Sequence, residues 1–185
     1  MSAQGNGLKG QRPGENSNPT IFALKGQYKY LIHASMSQSL SKMNLHAIFH
    51  VKNNECLIRP EDEKELYADM GGLVKLSQSI PIIINGMDNH VHVLCIMSKN
   101  ISLSDLMEEI KTDSSRWIKT LGSHYRGFAW QGGYAGYSVS QSRVDIVKKY
   151  IANQKEHHKT QTFEDEYIQF LKENDVDYNG DYLWT

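Results

Sequence analysis

Between residues 80 and 97 the chain reads IPIIINGMDNHVHVLCIM, two apolar segments of strand length separated by a short polar stretch containing Asn-Gly. Such runs bounded by turn residues read as strands, and Asn-Gly signals a hairpin because both residues tolerate positive φ. A hairpin cannot stand alone in water; it needs further strands and a packed helical layer. The flanking sequence supplies both. LHAIFHVK, 45–52, has the alternation of a strand. Pro60 then opens a helical stretch, PEDEKELYADMGGLVKLSQ, with acidic residues in its first turn and Leu66, Met70, Leu73 and Leu76 three or four apart. Gly71 and Gly72 weaken its interior. A second helix is expected over 102–120, capped by Ser102 or Ser104, then strand character around Tyr137 to Val139, then helices from about Ser142 and over 163–174. The order β, α, β, β, α, β followed by helices predicts an α+β fold. It is the split βαβ (ferredoxin-like) arrangement: an antiparallel sheet with helices on one face plus C-terminal helices.

The chain has 185 residues, 39% of them hydrophobic and 22% charged, which excludes global disorder and allows one ordinary core. A net charge of -1 does not announce a nucleic-acid binder, although a local basic face is compatible with it. Two cysteines, Cys56 and Cys95, have no CxxC spacing, so a reducing cytoplasm is expected. The first twenty residues are rich in Gly, Asn, Gln, Ser and Pro, and disorder is expected there. No run is long and apolar enough for a signal peptide or a membrane span.

Chemistry concentrates in two places. In a strand, residues i and i+2 share a face, so His90 and His92 of NHVHVLC stand roughly 6.5–7 Å apart along it. They could converge on one ion, or they could be an ordinary core feature. In KKYIANQ, Tyr150 and Gln154 are four apart and would share one helical face. The plain alternative makes Tyr150 a packed aromatic and leaves Gln154 solvated. Lys111, Arg116 and Lys119 either form a basic face for phosphates or are a solvated helix surface. Tyr134 and Tyr137 suit packing or base stacking. His46 and His50 read as core or surface residues, and His157 and His158, ending a helix, are given no catalytic role.

NGMDNHVHVL, KTDSSRWIK, WQGGYAGYSVS and VDIVKKYIANQKEHH occur in this order, and together they resemble the single-tyrosine HUH transposases of small insertion sequences, the IS200-like transposases. The resemblance spans about 36–185. MSQSLSKMNLHAIFHVKN is similar to the family's usual beginning, so residues 1–40 are expected to be a disordered or non-native extension, with Met36 a candidate native start. Residues 41–185 are then the catalytic domain. The resemblance implies that His90, His92 and Gln154 bind a divalent metal, Mg²⁺ or Mn²⁺, and that Tyr150 is the catalytic nucleophile. It implies cleavage and rejoining of single-stranded DNA with hairpins at element ends, through a covalent 5′-phosphotyrosine; on such a substrate the basic face of Lys111, Arg116 and Lys119, and the ring of Tyr137, are the expected DNA contacts. Family members work as dimers with composite active sites, for which glycines 132, 133 and 136 could supply the hinge. One departure stands out: members often place an acidic residue directly before the first histidine, and here that residue is Asn89. Two other readings remain: a non-catalytic single-stranded nucleic-acid-binding module, and a metal-dependent hydrolase that forms no adduct.

Overall fold

The computed structural model describes residues 39–184. The expected extension, 1–40, lies outside the described residues except for Ser39 and Leu40. Four strands, β1 (Met43–His50), β2 (Ile80–Gly86), β3 (His90–Met97) and β4 (Ala135–Val139), form one antiparallel sheet in the order β2-β3-β1-β4. The helices that matter below are α1 (Glu63–Leu76), α2 (Leu103–Ile118), α3 (Val144–Ala152), α4 (Gln154–His157) and α5 (Phe163–Glu173). This is the expected α+β arrangement.

The pleat decides which chemistry faces where. In the β1–β3 register, Leu45, Ala47 and Phe49 pair with Cys95, Val93 and Val91 on one face. His46, Ile48 and His50 pair with Leu94, His92 and His90 on the other. The first face meets α1 and α2, whose Leu66, Met70, Val74, Leu106, Met107 and Ile110 are fully buried against it. Each such side chain contributes about 1.5–3 kcal/mol on burial. Leu76, expected on the α1 seam, is instead 81% exposed, and Val74 takes its place. Helix α1 starts at Glu63, three residues after Pro60. Ser102 caps α2, its hydroxyl accepting from the Asp105 N–H at 3.1 Å.

The second face carries the histidines and is covered by the C-terminal helices. Ile48, Ala135 and Tyr137 pack there against Phe163, Tyr167 and Leu171 of α5, and Leu94 packs with Val144 and Ile151 of α3. Among the described residues, no helix is long and apolar enough to cross a membrane.

Two local expectations change. Asn85 and Gly86 are not the turn: they are the last paired residues of β2, opposite His92 and Val91, and the loop is Met87, Asp88 and Asn89. A Cβ on Gly86 would run into the His90 carbonyl, so this approach of the two strands requires glycine. The helix expected to run unbroken from Ser142 to His157 also breaks, at Asn153 (φ −99°, ψ 18°), between α3 and α4.

Candidate active site

His90 and His92 open β3 on the sheet face away from α1 and α2, fully buried, with ring centroids 5.1 Å apart. Each is fixed from behind. His90 Nδ1 donates to Asn89 Oδ1 at 2.7 Å. His92 Nδ1 lies 3.0 Å from Nε2 of buried His46, and those two rings stack at 5.2 Å. Asn89 therefore supplies, as a neutral amide, the acceptor that an acidic residue would supply at this position. The Nε2 atoms of both strand histidines face away from these partners.

The break at Asn153 matters because Tyr150 and Gln154 do not sit on one continuous helix. Helix α3 closes with the Asn153 N–H shared between the Lys149 and Tyr150 carbonyls, and Asn85 of β2 donates to the Ile151 carbonyl at 2.8 Å. Gln154 then turns fully inward, and its Oε1 lies 3.1 Å from His90 Nε2. The Tyr150 ring meets the His92 ring edge-on at 5.9 Å and the His157 ring at 5.1 Å. Sheet histidines, amide and tyrosine thus come together within one chain. Tyr150 also walls a cavity of about 250 Å³ shared with Arg143, His157, Glu166 and Phe170.

Two residues given no role in the sequence reading stand in the same cluster. Glu166 of α5 is buried, and its Oε2 lies 3.6 Å from His92 Nε2 and 3.7 Å from His90 Nε2. Its Oε1 accepts from Gln154 Nε2 at 3.2 Å. His158 Nε2 is 3.2 Å from His90 Nε2, 2.9 Å from Gln154 Oε1 and 3.2 Å from Glu166 Oε2. The signal for Glu166 was present: it lies three and four residues from Phe163 and Phe170 on an otherwise apolar helix face, where an unpaired carboxylate is costly.

Burial sets the charge state of this cluster. It holds His90 well below the usual imidazole range, with neighbouring His92 adding to the effect. It brings His92 down to about 3 and lowers His158. It pushes the Glu166 carboxyl up to about 8. The imidazoles are neutral and offer lone pairs. His92 Nε2 and Glu166 Oε2 are buried with no hydrogen-bond partner, and such an orphan costs about 1–3 kcal/mol.

A cation fits this donor set. One donor atom each from His90, His92 and Glu166 lie within 4.8 Å of one another. Ligands about 2.1 Å from a common ion are about 3.0–3.4 Å apart, and the Gln154–His90 separation of 3.1 Å falls in that window.

The expected DNA contacts fall in different surroundings. Lys111, Arg116 and Lys119 line one groove of about 580 Å³ beside Trp130, Gln131 and Tyr134. Lys111 donates to the Gly133 carbonyl at 2.8 Å and the Gly132 carbonyl at 3.2 Å, and burial lowers its amine to about 8. Arg116 is exposed and pairs with Asp113 at 2.8 Å. Tyr137 is on the other face, 8% exposed and stacked on Phe170 at 5.8 Å. A base could reach its ring only if α5 moved. His50, like His46, is a core residue; its ring nitrogens lie 2.8 Å and 2.9 Å from the Val51 and Leu183 carbonyls.

A ferredoxin-like sheet with an HxH strand, followed by a tyrosine helix over the same face, is the arrangement of the IS200-like transposases. The profile described as "Transposase IS200 like" matches residues 39–154, and the chain belongs to that family. Among solved structures it is similar to a candidate transposase from Deinococcus radiodurans R1, with TM-score 0.51 and 20% identity, covering 64% of this chain and 95% of that one. It is also similar to a REP-associated tyrosine transposase bound to a REP hairpin, with TM-score 0.50 and 13% identity, covering 66% of this chain and 74% of that one. No curated protein matches the chain.

Proposed function

We propose that this transposase-family chain cleaves and rejoins single-stranded DNA at hairpin-bearing element ends, with Tyr150 as nucleophile and a divalent ion, Mn²⁺ or Mg²⁺, held by His90, His92 and Gln154. The observation that carries the reading is the packing of Tyr150 against His92, at 5.9 Å between rings, beside buried donors that lack a partner. When bound, the ion would neutralise charge on the phosphate and stabilise the departing oxygen. The phenol of Tyr150 attacks phosphorus and displaces the 3′-oxygen. The DNA is left joined to Tyr150 through its 5′-phosphate, with a free 3′-OH on the other fragment. Attack on that linkage by another 3′-OH restores the phenol and joins the strands, so no external energy source is needed.

Tyr137, the rival phenol, is buried, stacks on Phe170 and does not line the cavity beside Tyr150. The groove holding Lys111, Arg116 and Lys119 suits the phosphates of a hairpin stem. A homodimer is part of this proposal, and so is a reducing cytoplasm, in keeping with two free, buried cysteines. The bound hairpin of the REP-associated transposase supports a hairpin ligand here as well.

The test is incubation with hairpin-bearing single-stranded DNA and Mn²⁺, read on a denaturing gel. A covalent adduct that vanishes in Tyr150→Phe is expected. Absence of adduct in the wild type returns the chain to a DNA-binding module, or to a hydrolase if free cleavage products accumulate. A sedimenting species of monomer mass, with and without DNA, would remove the dimer.

A further inference from the structure

His90, His92 and Gln154 lie within the family match, whereas His158 and Glu166 lie beyond its last residue. Yet Glu166 Oε2 lies 3.2–3.7 Å from the Nε2 atoms of His90, His92 and His158, and His158 Nε2 lies 3.2 Å from His90 Nε2 and 2.9 Å from Gln154 Oε1. The hydrogen bonds behind them fix the tautomers. His158 Nδ1 faces the Gln161 carbonyl at 2.9 Å, and a carbonyl only accepts, so that nitrogen carries the proton. His158 Nε2 is then a lone pair. The same logic applied to the 2.7 Å contact with Asn89 Oδ1 leaves His90 Nε2 a lone pair. Three lone pairs, His90 Nε2, His158 Nε2 and Gln154 Oε1, therefore face one another at 2.9–3.2 Å, with Glu166 Oε2 3.2 Å from His158 Nε2 and 3.7 Å from His90 Nε2. Beside them stands His92 Nε2, buried without a partner. Neutral dipoles pointing their negative ends at one another are stabilised by a cation.

We propose that His158 and Glu166 are themselves ligands of the ion, a reading that rests on the metal site proposed above. Three imidazoles and two oxygens make a donor set suited to borderline transition ions such as Mn²⁺, Co²⁺ or Zn²⁺, and poorly suited to Mg²⁺, which prefers oxygen. Because Glu166 belongs to α5, its ligation of an ion held by His90 and His92 would tie that helix to the sheet. With Glu166 among the ligands, a substrate phosphate would have to compete with its carboxylate for the ion.

The full chain is titrated calorimetrically with Mn²⁺ and with Mg²⁺, and hydrogen exchange of residues 163–173 is followed with and without Mn²⁺. Glu166→Gln keeps the shape and an acceptor for Gln154, and is expected to weaken Mn²⁺ binding about tenfold or more. His158→Ala should do the same and should narrow the preference for Mn²⁺ over Mg²⁺. Should His158→Ala fail to fold, His158→Asn supplies the comparison. Mn²⁺ should slow exchange in α5 of the wild type and have no such effect in Glu166→Gln. If both variants bind Mn²⁺ like the wild type while His92→Ala does not, the inference is overturned and the three-residue site stands. If the wild type binds neither ion, both readings fall.

Discussion

Asn89 offers the sharpest check on how the sheet histidines are prepared. His90 is fully buried, and its Nδ1–H has one acceptor, Asn89 Oδ1 at 2.7 Å. That bond holds the proton on Nδ1 and leaves Nε2 bare. In Asn89→Ala the imidazole can carry its proton on Nε2 and donate it to Gln154 Oε1, 3.1 Å away. Metal binding must then return the proton to an Nδ1 with no protein acceptor. Leaving a buried donor unsatisfied costs about 1–3 kcal/mol, so Mn²⁺ affinity should fall by roughly 5- to 150-fold. Asn89→Asp replaces a neutral acceptor by a carboxylate, makes His90 more basic and should tighten binding, on the order of tenfold. The assay is calorimetric titration of the three proteins at one pH and salt. Asn89→Ala binding Mn²⁺ as tightly as the wild type would refute the claim that this hydrogen bond selects the binding tautomer.

Other predictions follow from single contacts. Asn85→Ala removes the 2.8 Å bond to the Ile151 carbonyl at the end of the tyrosine helix, and should lower stability by about 1 kcal/mol and slow adduct formation more than it weakens DNA binding; parallel melts and single-turnover gels separate these effects. Gly86→Ala pushes a methyl against the His90 carbonyl and should cost about 2 kcal/mol, a fall of roughly 4–8 °C in melting temperature. Saturating metal, at about 100 times its Kd, should stabilise the protein by about 2.7 kcal/mol, and chelation should abolish the adduct until Mn²⁺ is restored. The Lys111 amine is lowered from 10.5 to about 8, so the folded chain gives up this proton first as pH rises. Between about 8 and 10.5 the unfolded chain binds more protons at this group, so its contribution to stability increases with pH. DNA affinity should instead drop through pH 8, and Lys111→Arg should flatten that drop in an anisotropy titration.

The sheet was legible because the period-two pattern of β1 and β3 is strong, and β3 begins and ends at the residues expected, His90 and Met97. Its histidines share a face because a strand leaves them no other choice. What could not be read was the geometry set by long-range contacts. Asn-Gly is a turn signal in isolation, yet here the β1–β3 pairing and the loop contacts of Asp88 and Asn89 with Ile58 and Val51 move the turn past Gly86, to Met87–Asn89. Tyr150 and Gln154 looked like one helical face, but Asn85, which is remote in sequence, meets the end of α3 just before the break at Asn153. His46, His158 and Glu166 come from three separate segments, and no spacing between them joins them to the HxH strand. Only folding brings them to the strand.

The energetics of the second sheet face tie these elements together. A buried surface of His46, His50, His90 and His92 is a weak substitute for Val and Leu, because each ring nitrogen needs a partner. The backs of the rings are satisfied within the protein: Asn89 serves His90, His46 serves His92, and Gln161 serves His158. Their fronts are not, since His92 Nε2 and Glu166 Oε2 are left without hydrogen bonds. Stability on this side therefore comes from the aromatic cover of α5, where Phe163 stacks on His90 at 4.2 Å and Phe170 on Tyr137 at 5.8 Å. That cover presses Glu166 into the donor cluster and at the same time forms one wall of the cavity beside Tyr150. A helix that completes the donor set and also shields the tyrosine cannot be strengthened in the first role without hindering DNA entry in the second. Substitutions that tighten α5 packing should thus raise metal affinity while slowing the first strand cleavage.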